Sequence, residues 1–373
     1  MAPASTVSLS PAELSYLHTS LSQTPPIRPD GRSPTQFRPL VAETDILPSA
    51  NGSARICFAD GTEAVVGVKA EVEKSSTIKT ISGENAQEGG RGLGTGGSGQ
   101  EVEMGDGEED GDNAQSRIGK GEDSWLEVAI EIPGYRDDDA LPIFLSAMLT
   151  EALLADGNLK DRLYINRRFH WRLYIDILLL SAPLSYPLPL LSLTTHLALL
   201  QTRLPALISE KDEDPLFNDD WDAAVSLYTP SSAGSQTDKP PVTLLVMSAG
   251  DNIIFDPSRE ELAVAESVLA ISVASGTAQL EGQLRLLAMR SIDPPSRLTT
   301  PGVPNNMNSA TGGTAPATKQ EILAMRESAD ANSVWRPPRG GVKRALVSRM
   351  VKMVVQKGGV GEEVLEGLQG VET

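Results

Sequence analysis

Leucines fall at positions 14, 17 and 21 between Ser10 and Gln23, on one helical face, behind a Ser-Pro opening with Glu13 in the first turn. That pattern predicts an amphipathic helix over 10–23 with a capped start. Pro25, Pro26, Pro29 and Gly31 then forbid a helix and turn the chain. Beyond the turn the period changes to two. Phe37–Glu43, Ala54–Phe58 and Glu63–Val72 read as three strands of an antiparallel meander, the last two joined through Asp60-Gly61. Gly52, Ala54, Gly67 and Ala70 are small enough for other elements to approach closely.

From Trp125 to Ile132 apolar and charged residues alternate, the mark of a half-buried strand. Leu141–Ala155 follows as a helix with Ile143, Leu145, Met148, Leu149 and Leu153 available for the core. Trp171–Leu180 is a strongly apolar strand and Leu190–Gln201 a second buried helix. Asp212–Asp238 is polar and turn-rich, with a short structured piece expected near Trp221. Val242–Ala249 and Asn252–Phe255 form a hairpin through Gly250-Asp251, Pro257–Glu261 opens a turn, and Leu269–Ser275 pairs with Gln279–Leu286 around Gly276. Val342, Leu346, Met350 and Val354 recur at helical spacing within 341–357, with Lys343, Arg344, Arg349, Lys352 and Lys357 among them. This reads as a terminal amphipathic helix docked on the core, or alternatively as a basic membrane or nucleic-acid helix.

Composition changes the picture in two places. The chain has 373 residues with 33 Gly and 26 Pro, high for a compact fold. Much of that excess sits in 74–123, with its glycine runs and the acidic stretch Glu101–Asp112, and in the Pro, Gly, Asn and Thr-rich 296–318. Both are too poor in branched and aromatic residues to bury a core, and are expected to be disordered. The Gly92–Gly97 run lacks the following Lys-Ser/Thr of a phosphate loop. The expected organisation is a first half from 1–73 and 124–210, an acidic insertion at 74–123, a second half at 211–295, a linker at 296–340, a helix at 341–357 and a tail at 358–373.

The net charge is −18, so the chain as a whole lacks the basic face of a free nucleic-acid-binding domain, and any such contact is local or shared with a partner. One cysteine, Cys57, excludes an internal disulfide and suits a buried strand position in a reducing compartment. The first residues lack a signal-peptide apolar core, and Leu173–Leu200 is broken by Asp176, prolines and His196, which argues against a membrane span. His170 and His196 have no companions at metal-ligand spacing, so core or surface roles are expected and no metal. Asp176 interrupts an apolar strand and, if buried, needs a partner.

The segment 28–72 carries Arg28-Pro-Asp-Gly-Arg32, then Phe37-Arg-Pro-Leu40, then Asp45-Ile-Leu-Pro-Ser-Ala-Asn-Gly-Ser-Ala-Arg55, and closes in Val66-Gly-Val-Lys-Ala-Glu-Val72. This block resembles the opening of the RNase PH family of phosphate-dependent RNA 3′-exonucleases, and most closely a eukaryotic ring subunit of the RNA exosome. The resemblance implies an α/β (α+β) fold of two β-α-β-α halves with mixed sheets and packed helices. It also implies a ring of related subunits, cap subunits, associated hydrolytic nucleases, RNA passing through a shared channel, and a home in nucleus, nucleolus and cytoplasm.

That family mixes enzymes with inert ring members. Phosphorolysis needs a phosphate cradle, carboxylates for a metal ion or proton transfer, and basic residues along the RNA. Active relatives carry an Asp-Gly-Gly-Thr-Arg cradle where this chain reads Ser181-Ala-Pro-Leu-Ser-Tyr-Pro187. Of their two aspartates six apart, the first matches Asp256 and the second falls on Leu262, with Glu260 and Glu261 beside it. The expectation is therefore no catalytic residues, Asp256 being a vestige, and no cofactor. Arg28, Asp30, Gly31 and Arg32 are expected to form a structural surface turn, with Asp30 accepting from nearby amides. Arg162, Arg167, Arg168 and Arg172 are candidates for an RNA-facing lip. An active phosphorolytic exonuclease and an interaction protein working through its acidic loop are the alternatives.

Overall fold

A computed structural model describes residues 9–75, 121–209, 213–228, 239–275, 284–299, 334–338 and 340–371. Nearly all of the acidic insertion, most of the 296–340 linker and the turn at Gly276 lie outside the described residues.

The first half builds a five-stranded sheet from β1 (Leu40–Thr44), β2 (Gly52–Phe58), β3 (Glu63–Lys74), β4 (Leu126–Glu131) and β5 (Phe169–Leu179), in the order β1-β2-β3-β5-β4. All pairs are antiparallel except β4 with β5, which run parallel and are joined through α2 (Ala140–Leu154) and α3 (Asn158–Arg162). The second half is a four-stranded sheet, β11-β10-β8-β9, from β8 (Val242–Ala249), β9 (Asn252–Phe255), β10 (Ser267–Ala274) and β11 (Arg285–Ile292). Its pairs are all antiparallel, so of the two expected mixed sheets only the first is mixed. A small ladder, β6 (Arg203–Leu204) with β7 (Val225–Ser226), links the halves.

Between the sheets lies α4 (Leu188–Leu200), against β2 and β3 on one side and β8 on the other. It is apolar all round and every residue from Leu188 to Leu199 is buried, as such a helix requires. Its few polar groups bond locally: Thr194 and Thr195 hydroxyls donate to the Leu190 and Leu191 carbonyls, and Ser192 Oγ accepts from the Thr243 amide. Gly52 sits where the end of α4 meets β2; a Cβ there would lie 2.5 Å from Thr202 Oγ1 and 2.6 Å from the Ala198 carbonyl oxygen. The small-residue reading of the meander holds at that position for a packing reason.

His196 on α4 is buried, and its Nδ1 lies 2.7 Å from the Pro240 carbonyl oxygen. A carbonyl oxygen can only accept, so Nδ1 carries the hydrogen of that bond. Burial pushes its pKa from 6.5 down to about 4, only partly opposed by the Pro240 carbonyl. The unfolded chain thus takes up this proton before the folded one. The resulting stability is whole above about pH 6.5 and is lost as pH falls towards about 4, by roughly 3 kcal/mol in the limit. Urea unfolding between neutral pH and about pH 5 should show this slope, and His196→Gln should flatten it. Equal slopes in the two proteins would refute the assignment.

The opening helix α1 (Pro11–Ser22) carries the expected capping box, Ser10 Oγ accepting from the Glu13 amide and Glu13 accepting from the Ser10 amide. Its leucines pack on β8 with Leu262 and Trp335 in a second apolar cluster. Two helices, α6 (Arg344–Val355) and α7 (Val360–Gln369), close the far side of the second sheet.

Several boundaries differ from the pattern. β1 begins at Leu40 because the Arg38 amide is taken by Asp256 and Pro39 has no amide to donate. Of the strand expected over 279–286, residues 279–283 lie outside the described residues; β11 runs Arg285–Ile292, with the Leu284 amide just before it held by the Val355 carbonyl at the end of α6. Pro257–Glu261 is a turn only at its start; α5 (Arg259–Leu262) follows, capped by Ser258. The stretch 358–373, expected as a tail, contains α7, in which Val360, Leu365 and Leu368 are buried. Asp176 needs no partner, because β5 alternates and turns that residue to solvent.

Candidate functional site

Three loops converge where the halves meet: the turn 28–38, the segment 181–187 between β5 and α4, and the loop 256–258 between β9 and α5. The centre is Asp256, 1% exposed at its side chain. Its backbone takes a positive φ of 46°, which a short polar side chain tolerates better than most. Asp256 Oδ1 accepts from Arg38 Nη2 at 2.6 Å, and Oδ2 accepts from Arg32 Nη1 at 2.8 Å, Arg38 Nε at 2.9 Å and the Arg38 amide at 2.8 Å. Its carbonyl accepts from Arg28 and Arg32.

Arg28 is fully enclosed. Its Nε and Nη2 each donate to Glu261 at 2.8 Å, and neither side chain has any exposure. The remaining donors go to carbonyls of Ser33, Gln36 and Phe255. Glu261 also accepts from the Ser258 amide, so one carboxylate both caps α5 and neutralises Arg28. Arg32 adds a 2.6 Å contact to Asp30, whose other oxygen accepts from the Arg32 amide. Arg38 lies over the Phe58 ring and donates to Asp60 at 2.5 Å and to Ser185 Oγ at 2.8 Å.

Three arginines thus face four carboxylates, with no guanidinium left to receive an added anion. Burial works against the charge on Arg38, but bonds and charge from Asp256, then Asp60, outweigh it and hold its pKa above the usual arginine range. Asp60 sits below the usual carboxylate range: burial opposes its ionisation, and the bond from the Thr62 amide together with Arg38 overcomes that. Both shifts are those of closed ion pairs. Pro183 and Pro187 deprive the 181–187 segment of two backbone donors. Leu262, at the position of the second acid, is 4% exposed and belongs to the apolar cluster under α1.

No family model matches the chain. It is 30% identical over 276 residues to the Saccharomyces cerevisiae protein "Exosome complex component RRP42", a span of 72% of this chain and 83% of the relative. The chain belongs to the RRP42 family of exosome complex components. The Schizosaccharomyces pombe protein "Exosome complex component rrp42" is 32% identical over 285 residues, covering 72% of this chain and 79% of its own. Among solved structures, an archaeal exosome core subunit aligns at 18% identity and TM-score 0.46 over 84% of this chain and 90% of its own. Rice (Oryza sativa) Rrp46 aligns at 12% identity and TM-score 0.41 over 92% of this chain and 100% of its own.

The turn 28–32 lies at the surface as the sequence reading has it, with Pro29, Asp30 and Gly31 exposed, but it sends the Arg28 and Arg32 guanidinium groups inward as a clasp between the halves. Arg38, Asp60 and Glu261 complete it and carry no sign of this in their own neighbourhoods, because Arg38 meets Asp256 across 218 positions and Glu261 meets Arg28 across 233. The signal was present only as a rule: an arginine in a tight turn beside Pro and Gly, if buried, must find a carboxylate.

The four arginines offered as an RNA lip are spread over separate elements. Arg162, at the end of α3, donates to the Leu227 carbonyl and covers the Tyr228 ring. Arg167 and Arg168 are exposed in the turn before β5, where Arg168 pairs with Asp214 at 3.0 Å. Arg172 on β5 is bound by Glu127 at 2.8 Å and Glu73 at 3.3 Å, and those bonds raise its pKa. His170 stacks on Trp125 at 4.2 Å and bonds Ser75, while Cys57 is half-buried in β2. Among the described residues no three His, Cys, Asp or Glu side chains converge in a way suited to a metal ion, and no helix is long and apolar enough to cross a membrane.

Proposed function

We propose that the chain is a non-catalytic subunit of an exosome ring, contributing surface and shape to 3′-to-5′ RNA processing, ribosomal RNA included, while associated hydrolytic nucleases cut. The observation that carries this reading is the closed state of Asp256. A carboxylate that already accepts from Arg32 and Arg38 on both oxygens has no lone pair directed at a metal ion or a 3′-hydroxyl. The position where active relatives carry a second acid holds buried Leu262. Losing preorganised groups costs on the order of 10²–10³ in rate for each, and here the cradle and an acid are both replaced.

In this reading the partners are other RNase PH-like ring subunits, cap subunits and the attached nucleases, and the chain works in nucleus, nucleolus and cytoplasm. Of the four arginines, Arg167 and Arg168 are exposed, which supports a backbone-contacting role for these two over Arg162 and Arg172.

The test has two arms. The tagged chain should co-purify with ring and cap subunits, identified by mass spectrometry. The purified chain, incubated with single-stranded RNA and inorganic phosphate, should release no nucleoside diphosphates. Phosphate-dependent shortening by the isolated chain, abolished in Asp256→Asn, would make it an exonuclease and overturn the proposal.

A further inference from the structure

The cations of this protein are divided between two kinds of surrounding. Arg28, Arg38, Arg55, Arg172, Arg285 and Arg290 each face a carboxylate. The cations in and around α6 do not. Lys343, Arg344, Arg349, Lys352 and Lys357 are all exposed, and none has an ion pair among the described residues. Arg349 donates only to the Asp251 carbonyl, and Lys343 only lends its field to Glu266. The adjacent glutamates of α7 leave them alone; Glu362 is spent on the Gly358 amide. In a chain of net charge −18, this helix is a concentrated and uncompensated positive surface.

The helix geometry sorts the residues by face. Met350 and Val354 are wholly buried, and Leu346, Val347, Val351 and Met353 pack around them. At about 100° per residue, Arg344, Ser348, Lys352 and Arg349 fall on the opposite side, with Ala345, Gln356 and the half-buried Val355 between them. Arg344 and Lys352 stand about 12 Å apart along the axis, with Arg349 between them in height.

The chemistry of that outer face selects its occupant. A membrane-surface helix needs a free apolar side, and here that side is already core. A protein interface has an apolar or aromatic centre depleted in charge, and this face offers no such anchor. A phosphate backbone needs only cations and hydroxyl donors in a row. We infer that the outer face of α6 is an RNA backbone-binding surface, sequence-independent and separate from the closed Asp256 junction. This rests on the reading of the chain as an exosome ring subunit, because that is what brings RNA to it.

The experiment uses the full chain within the complex it co-purifies with, and an end-labelled single-stranded RNA followed by fluorescence anisotropy across a salt series. The variant is the triple exchange Arg344→Gln, Arg349→Gln and Lys352→Gln, on exposed positions that keep a helix former. Loss of two to three phosphate contacts should weaken binding roughly tenfold or more near 0.1 M salt and make the log–log salt slope shallower by about 2. The charge-preserving exchange of Arg344 and Arg349 to Lys should keep the slope. Unchanged affinity and slope in the Gln variant, with the complex intact, overturn the proposal. So does a loss of subunits from the complex, which would make the face a protein contact. A chain lacking 76–120 tests for an acidic peptide as occupant: if deletion raises RNA affinity and the triple variant then has no further effect, the face serves that segment instead. Failure of the underlying reading looks different, since no exosome subunit would co-purify at all.

Discussion

Glu261→Ala should lower the unfolding free energy by about 3–5 kcal/mol, among the largest effects of any single substitution in this chain. The change removes the carboxylate that receives two bonds from Arg28 while both side chains are without exposure. Arg28 cannot escape by deprotonating, and its remaining carbonyl partners from Ser33, Gln36, Phe255 and Asp256 do not cancel its charge. The bond from the Ser258 amide to the carboxylate goes with it, while Ser258 Oγ keeps the amide of residue 261 and still caps α5. Desolvation makes an intact buried pair of small net worth and a broken one costly. The double variant Arg28→Met with Glu261→Leu should therefore regain much of what Glu261→Ala loses. Urea unfolding of the three proteins checks both statements. A Glu261→Ala midpoint corresponding to a loss under about 1 kcal/mol would mean that water or local relaxation reaches Arg28.

The clasp explains which parts of the molecule were legible in the sequence. Period-two and period-3.6 patterns located the meander, β4, α2, β5, α4 and the β8–β9 hairpin, because each buries one face or all faces in a way its own residues reveal. The capping box of α1 is equally local. Errors came where a distant contact decides. β1 is shortened by the bond from the Arg38 amide to Asp256. α7 stands in the expected tail, and its helical state comes from burying Val360, Leu365 and Leu368 against the body. At the candidate site, Asp256, Leu262 and the turn arginines were all visible as residue types. Their assembly was not, since no local rule pairs Arg28 with Glu261 or Arg38 with Asp256 across the two halves.

Asp256→Ala should be at least as damaging, on the order of 4 kcal/mol or more, because it frees two guanidinium groups together. Arg32 and Arg38 are 8% and 10% exposed at their side chains and, of their carboxylate partners, would keep only Asp30 and Asp60. Alanine also suits a φ of 46° poorly, at a further cost of roughly 1–2 kcal/mol. For a domain of this size the melting point should fall by roughly 10 °C. Asp256→Asn keeps the shape and tolerates that φ but loses the charge, and it should fall between Ala and the parent. The ordering separates a structural acid from a catalytic one. A general base or metal ligand of the ordinary kind tolerates Asn with its fold intact and loses only turnover. In the proposed non-catalytic reading there is no turnover to lose, and what Asp256 holds is the seam along which the turn 28–38, the segment 181–187 and α5 meet. Weakening it should loosen both halves and, with them, any ring surface they jointly present. Co-purification yield should then fall in step with melting temperature across the Asn and Ala variants. An Asp256→Ala protein that melts within about 2 °C of the parent would leave the carboxylate without a structural purpose and return it to the list of candidate catalytic groups.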